Sequence, residues 1–96
     1  MNKFRIEIVN YATNNNLALL LYEEDELYCD LTINLGVKLL DNLAYLDVNN
    51  VPSDVLKMLE DKGIYEITGN YRQSGFVSYP LARFNMEKIE EFNKGE

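Results

Sequence analysis

The sequence predicts an α+β domain over residues 1–96: an antiparallel sheet of five to six strands with two short helices. Three observations point there. Apolar residues recur with period two, or run on without break, in several short stretches, as strands require. Clusters of Asn, Asp and Gly, which favour turns, separate them. Two late segments, about 52–62 and 85–93, switch to helical spacing and carry capping residues. Strands with few helices, all late, suit α+β layering better than alternating βαβ units. The chain has no internal repeat and no linker.

In Lys3–Val9, Phe4, Ile6 and Ile8 alternate with charged residues, so those three should share the buried face of a first strand. Thr13-Asn14-Asn15-Asn16 reads as a turn, because these side chains bond their own backbone and tolerate left-handed geometry. Leu17–Tyr22 is almost continuously apolar, as a central strand covered on both faces would be. Leu27, Cys29, Leu31 and Ile33 then alternate with polar positions, which predicts a third strand paired to the second through an acidic hairpin tip. Asn34–Asn42 has no regular pattern. Leu43–Val48 supplies a fourth strand with Ala44, Leu46 and Val48 on one side and Leu43 and Tyr45 on the other.

Pro52 suits a first helical turn, and Val55, Leu56, Met58 and Leu59 form an apolar stripe up to Lys62. Gly63 can take the left-handed conformation that ends a helix. Ile64–Tyr71 and Phe76–Arg83 follow as two strands joined through Arg72-Gln73-Ser74-Gly75. Asn85 should cap a last helix through about Asn93, with Phe84 and Ile89 clasping its entry as a hydrophobic staple.

Composition narrows function by exclusion. Nine Lys and Arg against sixteen Asp and Glu leave a net charge of −7, which disfavours direct contact with nucleic acid and favours a basic partner. The charge is uneven: residues 1–48 hold eight acids and three bases, residues 49–96 eight acids and six bases. The start lacks the basic and then apolar pattern of an export signal, and no stretch reaches the length of a membrane span, so a cytosolic protein is expected. A single Cys excludes an internal disulfide.

There is no His, so neither a Ser–His nor a Cys–His nucleophile can be assembled. Cys29 falls on an apolar strand face and reads as a small core residue. Zinc would need further Cys or any His, the adjacent carboxylates lack the alternate spacing of an EF-hand, and the glycines are too scattered to cradle phosphate. No catalytic residue, metal or cofactor is therefore expected, and no enzyme. An enzyme built from carboxylates and Tyr alone ranks last and would need two close, buried acids.

What remains is surface. Glu23, Glu24, Asp25, Glu26 and Asp30 concentrate acid at one hairpin, where the bland role is solubility. Tyr71, Arg72, Gln73 and Phe76 bring together the residue types enriched at protein contacts. Against that, alternate positions of the same hairpin, Tyr71, Val77, Tyr79 and Leu81, could equally pack into the core.

Several segments also carry a resemblance. Tyr11-Ala12-Thr13-Asn14-Asn15, Leu17-Ala18-Leu19, Leu31-Thr32-Ile33-Asn34-Leu35, Asp47-Val48-Asn49-Asn50, Gly69–Phe76, Tyr79-Pro80-Leu81 and Phe84-Asn85, in this order and spacing, resemble small proteins of unknown function common on plasmids, transposons and phages of Gram-positive bacteria. The likeness covers nearly the whole chain. It departs at Val51-Pro52-Ser53, where members of that family often carry Cys and Trp. The resemblance transfers no reaction; it implies a setting, because small acidic proteins of mobile elements often defend the element against its host. Some are anti-CRISPR inhibitors. The expected function is thus that of a type II-A anti-CRISPR: an interaction protein that binds the basic guide or target surface of a host type II CRISPR nuclease through the acidic tip and the Tyr71–Phe76 hairpin. The alternative is a structural or regulatory accessory protein of the element, acting as a homodimer paired along a strand edge.

Overall fold

The structure is a computed structural model that describes residues 4–95. Along the chain, β1 (Phe4–Asn10), β2 (Leu17–Glu23), β3 (Glu26–Asp30), β4 (Thr32–Ile33), β5 (Leu43–Leu46), α1 (Ser53–Asp61), β6 (Tyr65–Ser74), β7 (Val77–Phe84) and α2 (Met86–Asn93) follow one another. The fold is α+β, as its sequence pattern predicts. In place of one sheet of five to six strands, the described residues form seven strands in two antiparallel sheets, ordered β1-β2-β3 and β4-β5-β7-β6. Lys3, expected to open the first strand, lies outside the described residues.

The division arises within the stretch expected to form a single third strand. Residues Glu26–Asp30 pair with β2, while Thr32 and Ile33 pair with Leu46 and Tyr45 of β5. Leu31 is fully buried between the two. Its N–H donates to Leu19 O at 2.9 Å, and its carbonyl accepts from Asp47 N at 3.0 Å, so one residue ties the first sheet to the chain just past β5 of the second.

A bulge corrects a second expectation. The register runs Leu21↔Cys29 and then Tyr22↔Leu27, which leaves Tyr28 as the extra residue. Residues directly opposite share a face, so Leu27 is turned to the Tyr22 side, away from the core, and is 54% exposed. Cys29 keeps the inward side, half-buried against the core. Ile8 also departs from expectation: although it alternates correctly with Ile6, it is 45% exposed. Ile6 packs in the core with Ile89 of α2, whereas Ile8 lies outside that cluster.

One core joins both sheets and both helices, with Ile6, Leu19 and Leu21 from the first sheet, Leu46 and Phe84 from the second, and Val55, Leu59 and Ile89 from the helices. A smaller cluster of Tyr45, Tyr79 and Leu81 is covered by Leu35 and Leu39 of the irregular loop. Side chains from the β1–β2 turn hold that loop in place: Asn16 donates to Val37 O at 2.6 Å and accepts from Leu39 N at 3.0 Å, and Asn14 donates to Asn34 Oδ1 at 3.0 Å.

The helices follow their signals closely. The Asn85 side chain accepts from Lys88 N at 3.1 Å, and Phe84 and Ile89 are both buried as the staple requires. In α1, Val55 and Leu59 are buried and Leu56 and Met58 half-buried, while Pro52 precedes the first turn instead of opening it. The fourth strand ends at Leu46, because Asp47 leaves the ladder and accepts from Asn50 N and Val51 N to form a turn.

Candidate functional site

The acidic tip is a tight turn. Glu23 and Glu26 pair across β2 and β3, and Glu24 and Asp25 form the two-residue connection between them. Such a connection follows the right-handed twist of its strands when its first residue has positive φ, a geometry usually supplied by Gly, Asn or Asp. Here Glu24 has φ 57°. That conformation brings a Cβ toward the following carbonyl at a cost of roughly 1–2 kcal/mol. Glu23 opposite Glu26 places like charges in direct apposition, which is also unfavourable. Glu24, Asp25 and Glu26 are exposed, and among the described residues none of the four acids enters an ion pair, whereas Asp61, Glu66, Glu90 and Glu91 each have one.

Asp30 is not part of this cluster. It ends β3, four residues from Glu26, or about 13 Å along an extended strand. Its charge acts instead on the Cys29 thiol and the Tyr11 hydroxyl. Burial pushes both pKa values up, partly offset at Tyr11 by its hydrogen bond with Thr32, and the Asp30 and Asp47 carboxylates push both further up. A raised pKa is the opposite of what an activated thiolate needs.

The second surface belongs to the other sheet. Ser74 pairs with Val77, so the connection is Gly75-Phe76, and not the four-residue Arg72–Gly75 loop expected. Gly75, at φ 64°, meets the positive-φ requirement at the first turn position. The shift moves Arg72 and Gln73 into β6, opposite Tyr79 and Ser78, and leaves Phe76 at the apex with its side chain fully exposed. The aromatic residues therefore divide. Tyr79 and Leu81 are core, Val77 packs partly against them, and Tyr71 is 60% exposed.

This hairpin projects because its neighbour is short. Among the described residues β5 pairs with Leu81, Ala82 and Arg83 only, so beyond Leu81 the two strands form a ribbon with no third partner among those residues. A bulge at Thr68–Asn70 bends β6 where the ribbon begins; Gly69 has φ 96°, and Thr68 Oγ1 donates to Leu81 O at 2.9 Å. Pro80 lies at the same junction, next to a bulge and past the end of β5, where a missing N–H is tolerated in a strand.

Elsewhere, Asp47 is buried; its Oδ2 accepts from Asn50 Nδ2 at 3.0 Å and its Oδ1 has no partner among the described residues. Among the described residues, no three carboxylates or thiols gather as a metal would require. No helix among them is long and apolar enough to cross a membrane. A cleft of about 600 Å³ borders Tyr65, Phe84 and Met86, where Glu66 is tied to Arg83 at 3.2 Å.

A family model described as a domain of unknown function, DUF4313, matches residues 5–96. The chain belongs to this family. The match spans both sheets, both helices and both exposed turns, so the acidic tip and the ribbon lie within the domain that defines the family. No curated protein and no solved structure matches the chain.

Two features of the structure have only weak traces in the sequence. Asn93, which looks like the trailing residue of an amphipathic helix, reaches the edge of β1 and bonds both backbone groups of Ile6 at 2.8 Å. The positive φ of Glu24 is signalled only by the length of the connection.

Proposed function

We propose that this DUF4313 domain is a non-enzymatic interaction protein of a mobile genetic element, inhibiting a nucleic-acid-handling host defence enzyme by occupying its basic surface. The target we assign is a CRISPR RNA-guided nuclease. The observation that carries the reading is the turn Glu23–Glu26. It gathers four acids, opposes two of them across a strand pair and holds a Glu in left-handed geometry, so it departs from local preference in two ways at once. Departures of this kind concentrate at functional sites. The mobile-element setting rests on the resemblance described above.

A guide-binding channel is a positively charged groove shaped for a phosphate backbone. Clustered carboxylates on a narrow turn can enter such a groove and engage the Lys and Arg that would otherwise hold phosphates. The ribbon supplies what charge does not: Phe76 as an apolar anchor, with Tyr71, Arg72 and Gln73 around it. Charge would govern the encounter rate and its salt dependence, and the aromatic anchor the lifetime.

Co-purification with the guide-free nuclease tests this. Binding should weaken as salt rises and when Glu23, Glu24, Asp25 and Glu26 are replaced by Ala or Lys. Phe76→Ala should cost about tenfold or more in affinity while leaving the salt slope unchanged. Guide loading and target cleavage that proceed unaltered at excess protein refute the assignment.

A further inference from the structure

Each strand at a sheet edge carries unpaired backbone groups that can recruit another strand. Among the described residues, three of the four edges are poor templates. β3 is short, bulged at Tyr28 and flanked by Glu26 and Asp30; β4 has two residues; β6 is bent by its bulge at Thr68–Asn70. β1 is different. Its seven residues pair with β2 in unbroken register from Phe4↔Glu23 to Asn10↔Leu17.

That edge is held shut at one point. Ile6 N–H donates to Asn93 Oδ1 and Ile6 O accepts from Asn93 Nδ2, both at 2.8 Å. The two groups of a strand residue project to the same side, so these bonds point away from β2. The carboxamide of Asn93, the last residue of α2, thus makes the two bonds that a residue of an added antiparallel strand would make. Phe4 and Ile8, two residues to either side, present their groups in the same direction. Among the described residues nothing outside the sheet bonds them.

The sequence of β1 is self-complementary about Ile6. In an antiparallel pair with Ile6 opposite Ile6 of a second copy, Arg5 faces Glu7 and Glu7 faces Arg5 on the outer side. On the inner side Phe4 faces Ile8, which would cover part of the Ile8 surface that is now 45% exposed. Ile6 would be a hydrogen-bonded pair, and Phe4 and Ile8 would be bonded likewise. Both the ladder pattern and the charges satisfy one register.

We propose that the outer edge of β1 is a dimerisation site for a second copy of this chain, kept closed in the monomer by Asn93 at the end of α2. Opening the last turn of α2 exchanges two intrachain bonds for a ladder that joins the two β1-β2-β3 sheets across a two-fold axis. This inference is independent of the nuclease reading and of the ribbon.

Sedimentation of the full chain tests it. The wild type should be monomeric, and Asn93→Gly, which removes the carboxamide and loosens the helix end, should dimerise with a dissociation constant lower by about tenfold or more. In that background Arg5→Glu sets a carboxylate against Glu7 and should return the protein to monomer, and adding Glu7→Arg should restore the dimer. A folded Asn93→Gly protein that stays monomeric overturns the proposal, as does a dimer indifferent to Arg5→Glu. Should Asn93→Gly fail to fold, Asn93→Asp decides by the same two criteria, because it keeps the acceptor for Ile6 N–H but sets a carboxylate oxygen against Ile6 O.

Discussion

Replacing Glu24 by Gly should stabilise the protein. Glu24 holds φ 57° as the first residue of a two-residue turn, where a side chain costs roughly 1–2 kcal/mol relative to a residue without Cβ. Gly relieves that strain, while the extra freedom it gives the unfolded chain takes back roughly 0.5–1 kcal/mol. The net gain is about 0.5–1 kcal/mol, with a smaller addition from removing one of four neighbouring negative charges. For a domain of this size that raises Tm by about 4 °C, within a range of roughly 2–8 °C. Glu24→Ala is the necessary control, because it removes the same charge and keeps the Cβ. Thermal and urea unfolding followed by circular dichroism should rank Gly above Ala by the same net backbone gain, roughly 0.5–1 kcal/mol, at both low and high salt. If the two variants unfold together, the backbone is not strained at Glu24, and the turn does not sacrifice stability for contact. If the strain is kept for function, the Gly variant should also bind its partner more weakly while being the more stable protein.

Three further outcomes follow from the core and the helix ends. Asn85→Ala removes the acceptor for Lys88 N–H and should cost about 1 kcal/mol in urea unfolding, whereas Asn85→Ser should retain most of it. Phe84→Ala empties a fully buried site beside Tyr65 and should cost about 3–5 kcal/mol, read as a large drop in the urea midpoint followed by circular dichroism. Burial, with Glu60 and Asp61 nearby, pushes the Tyr65 hydroxyl from 10.0 up to about 12. The unfolded chain therefore releases this proton first, so stability should fall as pH rises from about 10 to about 12, and Tyr65→Phe should flatten that part of a urea-midpoint profile.

Local signals in this chain are reliable where the determinants are local. The staple of Phe84 and Ile89, the Asn85 cap and the stripe of α1 all depend on residues within a turn or two, and each sits where its spacing places it. What was not legible depends on pairing between distant segments. The run from Leu27 to Ile33 alternates like one strand, yet β2 and β5 each claim half of it, and no property of those residues announces a change of sheet at Leu31. The bulge at Tyr28 likewise follows from how β3 must meet β2, and it reverses the side on which Leu27 stands. At the candidate site the acids were legible from composition alone, and their position on a turn from the strands around them. The apex at Phe76 was missed because Arg72-Gln73-Ser74-Gly75 is as polar as a loop; only the partnership of Ser74 with Val77 shows that the turn has two residues.

Leu31 also bears on how the chain reaches and leaves its native state. Because its amide belongs to one ladder and its carbonyl is bonded by the chain just past the other, neither sheet can open at this junction without straining the second. Thr32 reinforces the link, its hydroxyl accepting from Leu19 N at 3.2 Å while its backbone pairs with Leu46. The amides of Leu19, Leu31 and Asp47 should consequently exchange with deuterium at one common rate, set by global unfolding, although they lie on three separate segments. Folding should then show a single phase, with closure of the β4–β5 connection as late as the docking of β2, and no species in which one sheet is formed and the other is not.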